Sequence, residues 1–235
     1  MKIAILFSGR IDTTIEQYNN IMNNLVQSND VDFFISHSKT DEKSIQDFVN
    51  LYKPKKIIES DESYFDCSMY KSLSEKAKHH TMCMYLNRKK VCNLLKEYIN
   101  ENNINYDIII SGRCDLVFNE RLNINSLMNR INNNELCIPN PQCDYTGIND
   151  QFAIGNYKTI TTYLQIYDSL FKILETDSLL FHAEQLLARY LKLENENIYR
   201  FNISYFIKRY HDRNALDEFN PNATFQMRKN IRKRR

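Results

Sequence analysis

The sequence predicts an α/β protein with a mostly parallel sheet between helices, and two observations predict this class. Continuous apolar runs such as KIAILFSG, residues 2–9, are typical of central strands that are buried on both faces. Between these runs lie segments with apolar residues at three- and four-residue spacing, which is the pattern of an amphipathic helix. Strands that alternate with helices predict a parallel sheet covered on both faces.

The first half of the chain keeps this alternation from one element to the next. Residues 12–27 carry an apolar stripe at helical spacing, and Asp12 or Thr13 is the expected N-cap. The other elements predicted here are a strand over 31–37, a helix over 41–52, a strand over 55–60 and, after a stretch of 61–80 without a regular pattern, a long helix over 81–100.

The second half opens with the strongest strand signal of the chain, YDIIISGRCDLVF, which predicts one strand over 106–118. The elements predicted after it are short strands over 135–140 and 149–156, helices over 157–175 and 179–193, and a late strand or extended piece over 197–210. No internal repeat or low-complexity linker divides the chain. We therefore expect a single domain over residues 1–226.

Glycine content excludes two large classes of nucleotide-binding protein. The chain has four glycines, at positions 9, 112, 147 and 155, so neither a Gly-x-Gly-x-x-Gly fingerprint nor a Walker A loop can be written. Rossmann-type NAD binding and P-loop chemistry are therefore not expected. The six cysteines include no Cys-x-x-Cys pair, so a zinc site is not expected either.

The charge of the chain is concentrated at one end. The final segment RKNIRKRR carries six positive charges, while the whole chain has a net charge of only +2, so the body is mildly acidic and residues 227–235 form a basic tail. The tail could contact RNA or an anionic membrane surface, or be a solvated chain end. No basic stripe with interleaved aromatic residues occurs elsewhere, so a nucleic-acid partner is not expected.

Two features of the apolar segments bear on location. The apolar run at the N-terminus is too short for a secretory signal and fits a first strand better. No segment approaches the roughly 20 apolar residues of a transmembrane helix. We therefore expect a cytoplasmic protein without a transmembrane span, with peripheral membrane contact through the tail left open.

Polar residues that directly follow strands are the first candidates for a site, because ligands of open parallel sheets bind at the carboxyl ends of the strands. The stretch ILFSGRIDTT, residues 5–14, resembles the Ser-Gly-Gly-x-Asp-Ser loop of ATP pyrophosphatases, with Arg10 in place of the second glycine. The guanidinium of Arg10 could bind a phosphate from the rim of such a turn. We expect Ser8, Gly9 and Arg10 to lie beside a nucleotide diphosphate, and a plain strand-to-helix turn is the alternative.

Arg113 and Asp115 follow the strongest strand in the same way. A carboxylate at this point can hold a divalent cation, and a nearby arginine can neutralise phosphate charge. With its surrounding string, an apolar strand followed by RCDLVF, the segment resembles small nucleotide-sugar glycosyltransferases of the GT-A type. In these a strand of this kind ends in Asp-x-Asp, or in Arg-x-Asp in a number of bacterial-capsule and large-virus enzymes.

The resemblance implies that Arg113 contacts the donor diphosphate and that Asp115 binds Mn²⁺ or Mg²⁺. Because Arg113 stands where the first aspartate would be, metal binding would depend on Asp115 and on ligands from elsewhere. His211 in KRYHDRN is a further candidate metal ligand, since a C-terminal histidine completes the metal shell in some GT-A enzymes. A structural ion pair between Arg113 and Asp115 is the alternative.

Two later segments extend the resemblance toward the sugar and the acceptor. GINDQFAIGN, residues 147–156, is similar to strings near the bound sugar in these enzymes, so Asp150 is a candidate sugar contact or base. In FHAEQLLARYL, residues 181–191, Glu184 lies in the first turn of a helix and is the candidate catalytic base, with His182 as an acceptor contact. An Asx turn at Asp150 and ordinary helix capping by Glu184 are the alternatives.

The fold implied by the resemblance is GT-A-like. The implied reaction is transfer of a sugar from a nucleoside diphosphate sugar to a hydroxyl of a glycan, lipid-linked or protein acceptor in glycan or polysaccharide synthesis, in the host cytoplasm if the gene is viral. Inversion and retention at the anomeric carbon both stay open. Two other hypotheses stay open as well: an ATP-pyrophosphatase-like enzyme that uses the loop of residues 8–13, and a non-catalytic binding protein on the same fold.

Overall fold

A computed structural model describes residues 1–11, 14–62, 75–140, 147–176 and 181–208. Within them, one sheet has seven strands in the spatial order β3-β2-β1-β4-β7-β6-β8, and β5 pairs with β9 in a separate two-stranded sheet. The strands are β1 Lys2–Gly9, β2 Asp30–His37, β3 Lys56–Glu59, β4 Ile108–Arg113, β5 Leu116–Phe118, β6 Glu135–Pro139, β7 Phe152–Gly155, β8 Asn197–Phe201 and β9 Tyr205–Ile207.

The central strands of the large sheet are parallel. β1 lies between β2 and β4 and is parallel to both, and β3 is parallel to β2. β7 is antiparallel to β4 and β6, whereas β8 is parallel to β6. The predicted class, a mostly parallel sheet in a single α/β domain, is confirmed.

The helices cover both faces of this sheet. They are α1 Thr14–Ile21, α2 Glu42–Tyr52, α3 Glu75–Asn102, α4 Met128–Asn132, α5 Tyr157–Leu164, α6 Leu170–Thr176 and α7 Ala183–Leu193. Even α3, the longest of them, carries charged residues along its length, and no helix in the described part of the chain has the length and apolarity needed to cross a membrane.

Successive residues of β1 point to opposite faces and so enter two different cores. Ala4 and Leu6 pack with residues of α3, α5 and α7, whereas Ile3, Ile5 and Phe7 pack with residues of α1 and α2. These five side chains are 0–2% exposed. Burial of each large aliphatic or aromatic side chain stabilises the fold by roughly 1.5–3 kcal/mol, which explains why β1 is a continuous apolar run.

Three predicted elements are wrong in their continuity. The single strand over 106–118 is two strands, because the chain turns after Arg113 and β5 leaves the large sheet to pair with β9. The helix over 157–175 is interrupted by a 3-10 segment, Ile166–Ser169, between α5 and α6. The piece over 197–210 is also two strands, of which β8 extends the large sheet and β9 completes the small one.

Two helix boundaries also differ from the predicted ones. The first helix differs at its C-terminal end, because α1 passes after Ile21 into a single π-helical turn, Met22–Val26, with Gln27 as its C-cap. The predicted N-cap residues Asp12 and Thr13 lie outside the described residues. The long third helix begins at Glu75, six residues before its predicted start at 81. The remaining strands and helices lie where the sequence predicts them, within a few residues at each end.

Candidate functional site

The carboxyl ends of four parallel strands form one edge of the large sheet, and polar residues gather there. Ser8 is the register partner of Ser36 on β2 and of Arg113 on β4, so three of the predicted strand ends lie side by side. Gly9 has φ of +114°, a conformation that a residue with a side chain adopts only under strain, and Arg10 after it is exposed. The structure therefore places the predicted Ser8-Gly9-Arg10 turn next to the Arg113 segment.

The turn after β4 is held by a bidentate ion pair. Nε of Arg113 donates to one carboxylate oxygen of Asp115 over 2.8 Å, and Nη2 donates to the other over 2.6 Å. Burial of the guanidinium opposes its charge, but the hydrogen bonds and charge of Asp115, with the charge of Asp150, outweigh burial and raise the pKa of Arg113. Two parallel charge-assisted hydrogen bonds are the strongest form of this pair, so the turn is well fixed.

The donor set here does not fit a divalent cation at Asp115. Both carboxylate oxygens already accept hydrogen bonds from Arg113, and the guanidinium would repel a cation that approached them. In the part of the chain that the structure describes, no three His, Cys, Asp or Glu side chains are grouped so that they could hold a metal ion. The other candidate ligand, His211, lies outside the described residues.

Asp150 is brought to the same edge by the antiparallel strand β7. The backbone N–H of Arg113 donates to the carbonyl of Gln151 over 3.1 Å, which places the segment before β7 beside the end of β4. Asn149, 2% exposed, fixes the segment, because its side chain accepts from the N–H of Gln151 and donates to the hydroxyl of Tyr205. The carboxylate of Asp150 is 13% exposed and 3.9 Å from Nη2 of Arg88.

Arg88 is the functional candidate that the sequence analysis missed. It lies on α3, is 2% exposed, and its guanidinium is 5.3 and 5.5 Å from the ring centres of Tyr85 and Tyr163. Its Nη1 has no hydrogen-bond partner among the described residues. A buried arginine is held by a carboxylate and aromatic faces here, and one of its nitrogens retains hydrogen-bonding capacity.

The N-terminus of α7 is fastened to the same cluster from two sides. The hydroxyl of Tyr85 donates to the carbonyl of Ala183 over 2.6 Å, and the N–H of Ile148 donates to the carbonyl of Glu184 over 3.1 Å. Burial raises the pKa of Tyr85 well above its ordinary value, Arg88 lowers it, and the charges of Asp150 and Glu184 raise it further. The charges of Asp150, Glu184 and Arg88 therefore all act on one buried tyrosine.

Glu184 is 9% exposed and lies in the first turn of α7, where the helix dipole stabilises a carboxylate. His182, just before the helix, has an N-cap position but makes no side-chain capping hydrogen bond. Its Nδ1 has no hydrogen-bond partner in the described part of the chain. Asp150 therefore lies near the end of β4, and the start of α7, which carries Glu184 and follows His182, is hydrogen-bonded to the segment that precedes Asp150. The catalytic and acceptor roles of the three residues stay predictions.

A second polar network lies on the β2 side of the same edge. The hydroxyl of Ser36 donates to Asn87 over 2.9 Å, and the side-chain nitrogen of Asn87 donates to Glu62 over 3.1 Å. The hydroxyl of Ser38 donates to the same carboxylate. Asn87 precedes Arg88 on α3. This helix therefore contributes one residue to the network beside β2 and the next residue to the group around Asp150.

The family of the chain follows from its sequence profile. The profile of a family described as a domain of unknown function, DUF7796, matches residues 11–207. The chain belongs to the DUF7796 family. The region matched to DUF7796 contains Arg88, Arg113, Asp115, Asp150 and Glu184, and it begins just after the Ser8-Gly9-Arg10 turn.

Two further comparisons place this DUF7796 protein among known proteins. No curated protein matches it significantly. Among solved structures, it is similar to a protein from Desulfovibrio desulfuricans G20 whose description as a nucleotide-diphospho-sugar transferase is itself provisional. The identity is 10% and the TM-score 0.45, over 86% of this chain and 79% of the other.

Proposed function

We propose that the protein is a glycosyltransferase that moves a sugar from a nucleoside diphosphate sugar to an acceptor hydroxyl. The observation that carries the proposal is that Asp150, near the carboxyl edge of the sheet, links groups that are far apart in sequence. It lies 3.9 Å from the buried Arg88 and raises the pKa of Arg113, and its charge acts on the same buried Tyr85 as that of Glu184. This edge is where ligands of open parallel sheets bind. The arrangement offers two kinds of group that sugar transfer uses. Arginine side chains can neutralise the departing diphosphate, and a carboxylate can take the proton of the acceptor hydroxyl.

The diphosphate is assigned to the space beside the end of β4 and the turn after β1. When the bond between the anomeric carbon and the diphosphate oxygen breaks, the electron pair leaves with the diphosphate, whose negative charge grows. Arg113 is positioned to stabilise this charge, and Arg10 could add a contact from the rim. The backbone at Gly9 can approach the phosphates because a Cβ atom there would meet nothing within 4 Å.

The sugar and the acceptor are assigned to the other side of Arg113. Asp150 can accept hydrogen bonds from sugar hydroxyls, with its orientation set by Arg88. If the enzyme inverts the anomeric carbon, Glu184, in the first turn of α7, takes the proton of the attacking hydroxyl. Asp150 is the second candidate for this role. His182 lies beside Glu184 and is the proposed acceptor contact.

The first test is a thermal-shift screen of the purified protein. The ligands are UDP-, GDP-, dTDP- and CMP-sugars and ATP, each in EDTA and in Mn²⁺. A ligand present at about 100 times its Kd adds about 2.7 kcal/mol to the folded state, so binding is visible as a higher melting temperature. Stabilisation by one sugar nucleotide supports the proposal and names the donor. Stabilisation by ATP alone supports the pyrophosphatase hypothesis and contradicts ours.

One observation favours a second candidate, a non-catalytic binding protein. The ion pair between Arg113 and Asp115 also has a purely structural explanation, since it fixes the turn between β4 and β5. The two candidates differ in hydrolysis: a glycosyltransferase given a cognate donor and no acceptor slowly releases the nucleoside diphosphate, whereas a binding protein releases none. If a donor stabilises the protein but is neither hydrolysed nor transferred to any acceptor glycan tested, the result favours the binding protein.

A further inference from the structure

The position that the glycosyltransferase resemblance assigns to a metal ligand is occupied by a fixed positive charge. Arg113 stands in place of the first aspartate, and it neutralises Asp115 through hydrogen bonds of 2.8 and 2.6 Å. Asp150 places a second negative charge near the same guanidinium. A divalent cation could reach Asp115 only by breaking two charge-assisted hydrogen bonds next to a positive charge.

The same guanidinium has donors left for an anion. Arginine has five N–H groups in one plane, and Asp115 accepts from two of them. The others have no hydrogen-bond partner among the described residues, and the side chain is 36% exposed. A planar set of donors on a partly exposed side chain matches the oxygens of a diphosphate, and the guanidinium holds its charge at every physiological pH.

We propose that Arg113 replaces the divalent cation, so that a nucleoside diphosphate binds to this protein, and departs from the sugar, without metal. The inference rests on the proposed function and assigns the diphosphate subsite to the guanidinium. Asp115 is then a positioning residue, which fixes the plane of the guanidinium and does not touch the ligand. Arg88 supplies further positive charge on the side of Asp150.

Isothermal titration with UDP, GDP, dTDP and ADP tests the inference on the unaltered protein. The nucleotide that binds is expected to show the same Kd in EDTA and in Mn²⁺, within about twofold. Binding that occurs only in Mn²⁺ overturns the inference and leaves the glycosyltransferase proposal standing. If none of the four binds under either condition, the proposed function itself is wrong and the inference is lost with it.

Arg113→Asp provides a sharper test because it gives the segment the Asp-x-Asp pattern of the enzymes that it resembles. Two carboxylates at this spacing offer the oxygen ligands that Mn²⁺ prefers. In EDTA the variant should bind the nucleotide about 10- to 100-fold more weakly than the unaltered protein, and Mn²⁺ should restore binding. Mn²⁺ alone should raise the melting temperature of the variant and leave that of the unaltered protein unchanged.

Two more variants complete the set. Arg121→Asp makes the same charge change at an exposed arginine after β5 and should bind as the unaltered protein does. Arg113→Ala should lose affinity in EDTA and in Mn²⁺ alike, because it has neither the guanidinium nor a second carboxylate. If Arg113→Ala binds the nucleotide with an unaltered Kd, the inference is overturned. This comparison decides the question even if Arg113→Asp does not fold.

Discussion

The backbone of Glu184 lies so close to Gly147 that a Cβ atom at Gly147 would stand 2.4 Å from the carbonyl carbon and oxygen of Glu184. Real Cβ atoms do not approach backbone this closely, so any side chain at position 147 must displace the start of α7. Glycine at this position therefore sets where the carboxylate of Glu184 stands relative to Asp150.

Gly147→Ala is expected to destabilise the protein and to impair catalysis together. Displacement of the helix start should cost about 1–3 kcal/mol of unfolding free energy, as overpacking in a filled interior does, and should shift Glu184 from its position. Urea denaturation and kcat are the measurements. Gly112→Ala is the comparison, because the nearest contact of its Cβ would be the ring edge of Phe152, at 3.3 Å, and no backbone atom stands in the way. A smaller loss of stability in Gly147→Ala than in Gly112→Ala would contradict this geometry.

Arg88 and Asp150 should be energetically coupled. Arg88→Met leaves the largely buried carboxylate without its cation, which should cost on the order of 3 kcal/mol of stability. Asp150→Asn removes that carboxylate, so the double variant should be more stable than the sum of the single changes predicts, by about 1–3 kcal/mol. Chemical denaturation of all four proteins measures the coupling. Strict additivity would show that the 3.9 Å approach carries no energy.

Glu184→Gln should separate binding from turnover. If Glu184 takes the acceptor proton, kcat should fall about 10²- to 10⁴-fold, while the Kd of the nucleoside diphosphate stays unchanged. Glu194→Gln, at the exposed C-terminal end of the same helix, is the matched control and should have unaltered kcat. If Glu184→Gln turns over normally and Asp150→Asn does not, the base is Asp150 instead.

Two buried thiols should make the protein less stable at high pH. Burial raises the pKa of Cys92 to about 11 and that of Cys137 to about 12, from 9.0. The unfolded chain therefore loses these protons first as the pH rises. The stability that the neutral thiols contribute is full below about pH 9 and declines from there through the folded pKa, by up to about 1.4 kcal/mol per pH unit for each thiol.

Denaturation in urea between about pH 8.5 and 10.5 measures this decline. Cys92→Ala should be less stable at every pH, because it leaves a cavity in the core, but its stability should decline less steeply with pH. An equal slope in the variant and the unaltered protein would assign the pH dependence to other groups.

The sequence was sufficient to predict that polar residues after β1 and β4 lie together at one edge of the sheet, where the candidate site is proposed. The ends of β1 and β4 can be recognised in the sequence because both strands are continuous apolar runs. The polar residues at these ends, Ser8 and Arg113, are register partners in the sheet. The ion pair of Arg113 with Asp115 was one of two alternatives from the sequence. The other alternative was a metal site at Asp115. The position of the turn after Arg113 decides between the two, and the continuous strand pattern over 106–118 does not predict that turn.

Arg88 could not be recognised from local sequence because it sits in NRKK, which suggests a solvated helix face. The signal that was present is positional: Arg88 is four residues after Met84 and three before Val91, which places a charge on the apolar stripe of α3. Only packing distinguishes a charge that reaches solvent from one that is buried. Here Tyr85, Tyr163 and Asp150 surround the guanidinium, and two of these three come from distant segments.

The small sheet has a consequence for how the protein is made. Strand β9 holds the turn that carries Asp115. The N–H of Lys208 donates to the carbonyl of Asp115 over 2.8 Å, and Leu116 pairs with Ile207. During synthesis β1, β2 and β4 leave the ribosome long before β9 does. In a nascent chain these three strands can therefore pair while the turn after β4 still lacks its contacts with β9. We expect a chain stalled before residue 205 to be cleaved by protease near residue 115, where the released protein resists. The turn that holds Asp115 is thus supported only after strand β9 has been synthesised.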